Sequence, residues 1–166
     1  MTSTLRTETG NPPLPTAEQR LKDLGIELPP SPVPFGAYAE AVQSGRMLFL
    51  SGMLPVVNHK PRYVGRLGKE LDAAAGREAL YIASLGALSA ARAHLGTLDR
   101  VTRVVRLGIY LATFGDFFDQ PVVADAVSEL FESIFGKEKT SARMVLGVAS
   151  LPMGMPVELD VIFEVE

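Results

Sequence analysis

The clearest regularity in the chain is a strict apolar–polar alternation over residues 157–165. Val157, Leu159, Val161, Phe163 and Val165 take one face of an extended run, and Glu158, Asp160, Ile162 and Glu164 take the other. A second run over 142–149 sets Ala142, Met144, Leu146 and Val148 against Arg143, Val145, Gly147 and Ala149. The turn-rich residues 150–156 join the two runs, so the pattern predicts a closing hairpin. With the greasier face of each strand under helices, Arg143 and Glu158 project together from the opposite face.

Upstream, residues 1–15 read as a polar leader rich in Thr and Pro. Thr16, with Gln19 three residues on, is placed to cap a short helix over 17–24 that ends at Gly25. Pro29, Pro30, Pro32 and Pro34 then block both helix and central strand. They set a soft boundary between a leader with its helix, 1–30, and a main domain, 31–166. Residues 38–43 and 46–51 predict two strands around a Ser44-Gly45 turn. Residues 53–68, with two prolines and two glycines, read as a loop long enough to flank a site.

Residues 69–95 carry the longest helical pattern, with Leu71, Ala75, Ala79, Ile82, Leu85 or Gly86, Ser89 and Ala93 on one stripe. Residues 101–112 are strand-like. Plain alternation puts Val101, Arg103, Val105, Leu107, Ile109 and Leu111 on one face, and Thr102, Val104, Arg106, Gly108 and Tyr110 on the other. Pro121 opens a second helix to about Phe135, with Val123, Val127, Leu130, Phe131 and Ile134 as its buried face.

The element order is β-β-α-β-α-β-β after a small helix. It predicts an α+β fold in which two helices cover one face of a mixed sheet. The other face offers Val104, Gly108, Tyr110, Val145, Gly147, Ala149 and Ile162 beside Arg106, Arg143, Glu158 and Asp160. That is too apolar for water and too charged for a monomer's core, so a second copy of the chain is expected to cover it.

Composition changes this picture little. Hydrophobic residues make up 47% and charged residues 21%, the balance of a globular chain, and the net charge of −3 gives no electrostatic reason to expect nucleic-acid binding. Arg100, Arg103 and Arg106 cluster in sequence, but alternation puts Arg103 and Arg106 on opposite strand faces. The absence of Cys removes disulfides and thiolate chemistry, and His59 and His94 alone make a poor zinc site. No phosphate-binding glycine motif is present, so no cofactor is expected. With no signal-peptide core and no run of apolar residues long enough for a membrane span, a cytoplasmic location is expected.

Three segments, in this order and spacing, resemble the YjgF or reactive-intermediate deaminase (RidA) family, also called endoribonuclease L-PSP. They are Phe35-Gly-Ala-Tyr38, Leu48-Phe-Leu-Ser-Gly-Met-Leu-Pro55, and Ala142-Arg-Met-Val-Leu-Gly-Val-Ala-Ser-Leu-Pro152 followed by Val157-Glu158. The preceding helix is similar to that of a longer subgroup. The resemblance implies a chorismate-mutase-like fold and a trimer with three clefts between subunits. It implies that Arg143 holds a substrate carboxylate and Glu158 positions the attacking water, with Tyr38, Ser51 and Gly52 lining the cleft. Val145 stands where many members have Cys, and Asp125 is the nearest counterpart of a site Asn. Both are departures that bear on the substrate.

The chemistry is consistent with those roles. A planar guanidinium grips a carboxylate through two parallel hydrogen bonds, which orients as well as attracts. A carboxylate desolvated in a subunit cleft is raised toward the range useful for moving protons. Ser51 has no His-plus-acid partner in sequence and reads as a hydrogen-bond donor. The expected activity is cofactor-independent hydrolysis of enamines or imines of amino-acid metabolism to 2-oxo acids and ammonia. The alternatives are a non-catalytic binder of small carboxylates on the same scaffold and, further off, a ribonuclease.

Overall fold

The computed structural model describes residues 14–166. The first helix, α1 (Ala17–Asp23), is capped by Thr16, whose hydroxyl accepts from Gln19 N. Ala17 and Leu21 bury into the main core. The Glu18 carboxylate accepts from Leu98 N at 3.0 Å and pairs with Arg92 at 3.4 Å, tying α1 to the body.

Five strands form the main sheet: β1 (Ala41–Ser44), β2 (Met47–Leu50), β5 (Val101–Ala112), β6 (Ala142–Val148) and β7 (Val157–Val165), in the order β1-β2-β7-β5-β6. β5 and β6 are parallel and the other neighbours antiparallel. The expected closing hairpin is therefore absent, because β5 lies between β6 and β7. All nine residues of the central strand β7 pair with β5, whereas β6 is left as an edge. The first turn falls one residue later than expected, on Gly45-Arg46, because Gly45 takes the left-handed conformation (φ 58°) that closes Ser44 onto Met47.

The 53–68 stretch is not wholly loop. β3 (Val56–Val57) and β4 (Lys60–Pro61) form a small hairpin turned at Asn58 and His59, both at positive φ (52° and 61°). Pro61 and the shortness of each strand hide it from a periodicity reading.

Two helices, α2 (Ala73–Leu95) and α3 (Gln120–Phe135), cover one face of the sheet. α2 begins later than the apolar pattern predicts because Asp72 caps it, accepting from Ala75 N at 2.8 Å. Its buried stripe is Gly76, Ala79, Leu80, Ala83, Ala87 and Ala91, rotated from the one expected, and Ala93 is exposed. Small residues let the helix lie close to its neighbours. Two glycines remain inside α2, each weakening a helix by about 1 kcal/mol relative to alanine. At Gly76 the reason is contact: a Cβ there would lie 2.9 Å from the Leu67 side chain and 3.2 Å from Val123.

β5 departs from simple alternation. Irregularities between Val101 and Arg103 and between Val104 and Arg106 shift its register against β7. Val101, Val104, Leu107, Ile109 and Leu111 therefore all face the helices and are buried. Arg103 and Arg106 fall together on the open face, opposite Glu164 and Ile162, correcting the expectation that they diverge. With Asp160 and Glu164 interleaved, that face is mixed in charge, not a basic stripe.

The register also reverses β6. Leu107 pairs with Arg143 and Ile109 with Val145, so Arg143, Val145 and Gly147 share the helix side. The greasier Ala142, Met144 and Leu146 lie on the open side with Arg106, Gly108 and Tyr110. At a sheet edge only partly roofed by α3, the apolar face need not be the one under the helices. The open face carries Val42, Phe49, Met144 and Leu146, each at least 40% exposed, around Ile162 and Tyr110.

Candidate functional site

The sequence-predicted residues separate into two groups. In the first, Ser51 and Gly52 leave the end of β2. Ser51 N donates to Glu40 O at 2.9 Å, and its hydroxyl donates to Ala39 O at 2.6 Å. The Ser51 hydroxyl thus fastens the 38–41 segment beside β2. Tyr38, on that segment, is half exposed, and its phenolic oxygen accepts from Phe35 N at 3.1 Å.

Gly52 is required by close approach. A Cβ there would sit 2.1 Å from Oε1 of Glu158, so the carboxylate occupies the space that any side chain would fill. Glu158 rises from β7 on the open face, cross-strand from Tyr110, and is half buried. Burial pushes its carboxyl above the usual carboxylate range, and the neighbouring Asp160 charge pushes it further. Glu40 nearby is also raised, by burial alone. This corner holds a desolvated acid poised to exchange protons.

The second group lies on the β6 edge. Nη1 of Arg143 donates to Asp125 Oδ1 at 2.7 Å and to Ser128 Oγ at 3.0 Å, both on α3. Val145, two residues on, is half buried against the core. Arg143 borders a cavity of about 220 Å³ with Leu107, Ser128 and Thr140 in its wall. Asp125 and Ser128 stand three residues apart on one helix face. That spacing is the signal by which Ser128, missed from sequence, could have been found.

The two groups do not meet within one chain. Glu158 is on the open face of β7 and Arg143 on the helix face of β6, with β5 between them. Two strand spacings amount to about 10 Å, and the three-residue offset between Arg143 and Leu146, which is level with Glu158, adds about 10 Å along the strand. The expectation that both side chains project from one face is not met, because the β6 register turns Arg143 toward α3. Tyr110 and Asp160 are further neighbours of Glu158 that the alternation pattern placed but did not single out. Among the described residues, no group of three or more His, Cys, Asp or Glu side chains is placed to hold a metal ion. No helix among them is long and apolar enough to cross a membrane.

Residues 18–163 match the family described as "YjgF/chorismate mutase-like, putative endoribonuclease". The chain is 39% identical over 145 residues to Protein TCP17 of Trypanosoma cruzi, covering 87% of this chain and 91% of that protein. It is 30% identical over 142 residues to a 2-iminobutanoate/2-iminopropanoate deaminase of Dermatophagoides farinae, covering 85% and 95%. A crystal structure of a protein of unknown function from Agrobacterium tumefaciens superposes with a TM-score of 0.82 at 32% identity, over 90% of this chain and 92% of that one. With that sheet order, those helices and a family match running over nearly the whole described length, the chain belongs to the YjgF/chorismate mutase-like family.

Proposed function

We propose that the protein hydrolyses imines of 2-amino acids to 2-oxo acids and ammonia, at a site that two copies of the chain complete. The observation that carries this reading is the Glu158 carboxyl, desolvated and seated against Gly52. In the reaction, Glu158 takes a proton from water as the water oxygen bonds to the imine carbon. It returns that proton to nitrogen, giving a carbinolamine. It then passes the proton of the new hydroxyl to the same nitrogen as the C–N bond breaks, leaving the 2-oxo acid carbonyl and ammonia. Arg143 of another copy holds the substrate carboxylate through the guanidinium hydrogens that Asp125 and Ser128 do not take. Positioning is most of the work, because imine hydrolysis is already easy.

The exposed apolar face of the sheet supports the same reading. The exposed apolar open face would be covered by another copy, and in a ring such as the expected trimer the β6 edge of one copy would meet the Glu158 corner of the next. The relative named as an imine deaminase is consistent with the chemistry. The test generates imines with an amino-acid oxidase and follows their decay. The wild-type protein is expected to accelerate it, and Glu158→Gln and Arg143→Ala to lose the acceleration by about a hundredfold or more. Equal acceleration by either variant would sink the proposal.

A second reading, a non-catalytic binder of small carboxylates, is favoured by one observation. Asp125 already neutralises part of the Arg143 charge. Calorimetric binding of 2-oxo acids with no imine turnover would establish it.

A further inference from the structure

Gly86 lies in the middle of α2, where glycine weakens a helix, yet no neighbour requires it. Nothing comes within 4 Å of where its Cβ would be, in contrast to the crowded Gly76. The space beside it is a cavity of about 580 Å³ walled by Ile82, Leu85 and Gly86 of α2, by residues 27–33 and by the β3–β4 hairpin. The wall is built to stay. Ser89 of α2 donates to Pro29 O at 2.7 Å, holding the proline-rich segment, and the Phe35 and His59 rings stack at 4.2 Å between that segment and the hairpin.

The cavity adjoins the Glu158 corner. Tyr38 and Gly52 line it, and the Glu158 carboxylate rests on Gly52. Most of its surface is apolar, and its acids, Glu27 and Glu40, would repel a second carboxylate. We propose that this cavity receives the substrate's side chain and selects branched aliphatic or aromatic imino acids over small or acidic ones. The selection rests on the reading that Glu158 delivers water to the imine carbon. The volume suits a group larger than methyl or ethyl, and extra apolar carbons in such a pocket discriminate by about tenfold or more.

The experiment compares imines made from L-leucine and L-alanine by a broad-specificity amino-acid oxidase. The leucine-derived imine is expected to show kcat/KM about tenfold higher. Gly86→Leu fills the part of the cavity beside α2 while improving helix propensity, so its thermal midpoint should not fall, and its leucine-to-alanine ratio should drop toward one. Ile82→Phe serves as a second filling variant. A wild-type ratio of one or less, or a ratio unchanged in a folded filling variant, overturns the inference. If neither imine is turned over, the catalytic reading fails and calorimetry decides the cavity alone. Binding of 4-methyl-2-oxopentanoate about tenfold tighter than 2-oxopropanoate and 2-oxopentanedioate, and lost in Gly86→Leu, upholds it. Equal or absent binding ends it.

Discussion

The Glu158 corner and the Arg143 edge are built in different ways, and the difference shows what each can do alone. At the corner, the backbone does the placing. Ser51 is bonded twice to the 38–41 segment, Gly52 leaves room for one carboxylate, and that carboxylate has lost water and gained a like-charged neighbour. At the edge, side chains do the placing. Arg143 stands on the edge strand β6 and is aimed by Asp125 and Ser128 from α3. The corner holds an acid without an anchor, and the edge holds an anchor without an acid. Opposite sheet faces keep them apart in one chain.

Changes that disturb the corner should cost most. Gly52→Ala forces the Glu158 carboxylate from its seat, and a displacement of about 1 Å is expected to lower imine turnover about a hundredfold. Melting should change little, since the clash is with the end of a side chain at a half-buried site. Kinetics beside a melting curve check this; unaltered turnover would show that the seat is incidental.

A smaller effect is expected at the edge. Asp125→Asn removes the carboxylate competing for Arg143 while keeping a hydrogen-bonding side chain. It should tighten 2-oxo acid binding by no more than about fivefold, because the pair is partly exposed and screened. Calorimetry at two salt concentrations is the check, with the gain shrinking at high salt.

The smallest effect concerns protons. Glu158 acts as a base only when ionised, and its carboxyl is raised by burial first and by Asp160 second. The acid limb of the kcat/KM profile should therefore lie above the usual carboxylate range, with activity rising as pH rises through it. Asp160→Asn removes the lesser cause and should move the limb to lower pH. The linkage to stability has the same origin. A carboxyl raised in the folded state favours folding when protonated, so its contribution falls as pH rises from the unfolded-state value through the folded one. Glu158→Gln should accordingly stabilise the fold more at neutral pH than in acid.

Much of this organisation was legible in the residues. The alternation over 157–165 gave β7 correctly, the apolar spacing over 69–95 ended α2 at Leu95 though it began the helix four residues early, and the α+β class with two helices on one face follows from element order. What was hidden depends on partners. Arg143 and Glu158 were assigned to one face because alternation within a strand says nothing about which side a neighbour presents. That choice was made by the parallel register of Leu107 with Arg143. The irregularities in β5 likewise leave no mark on a period-two reading, yet they carry Arg103 to the open face. Gly86 looked like one more small residue on a buried stripe. Its meaning came from the empty space beside it.

If the corner and the edge complete each other across copies, two inactive variants must rescue one another. Glu158→Gln retains Arg143, and Arg143→Ala retains Glu158. Unfolded and refolded together in equal amounts, they should regain about one quarter of wild-type imine turnover, since one site in four then draws both groups from intact partners. Activity no higher than that of either variant alone, in mixed assemblies verified by mass, would contradict a site shared between copies.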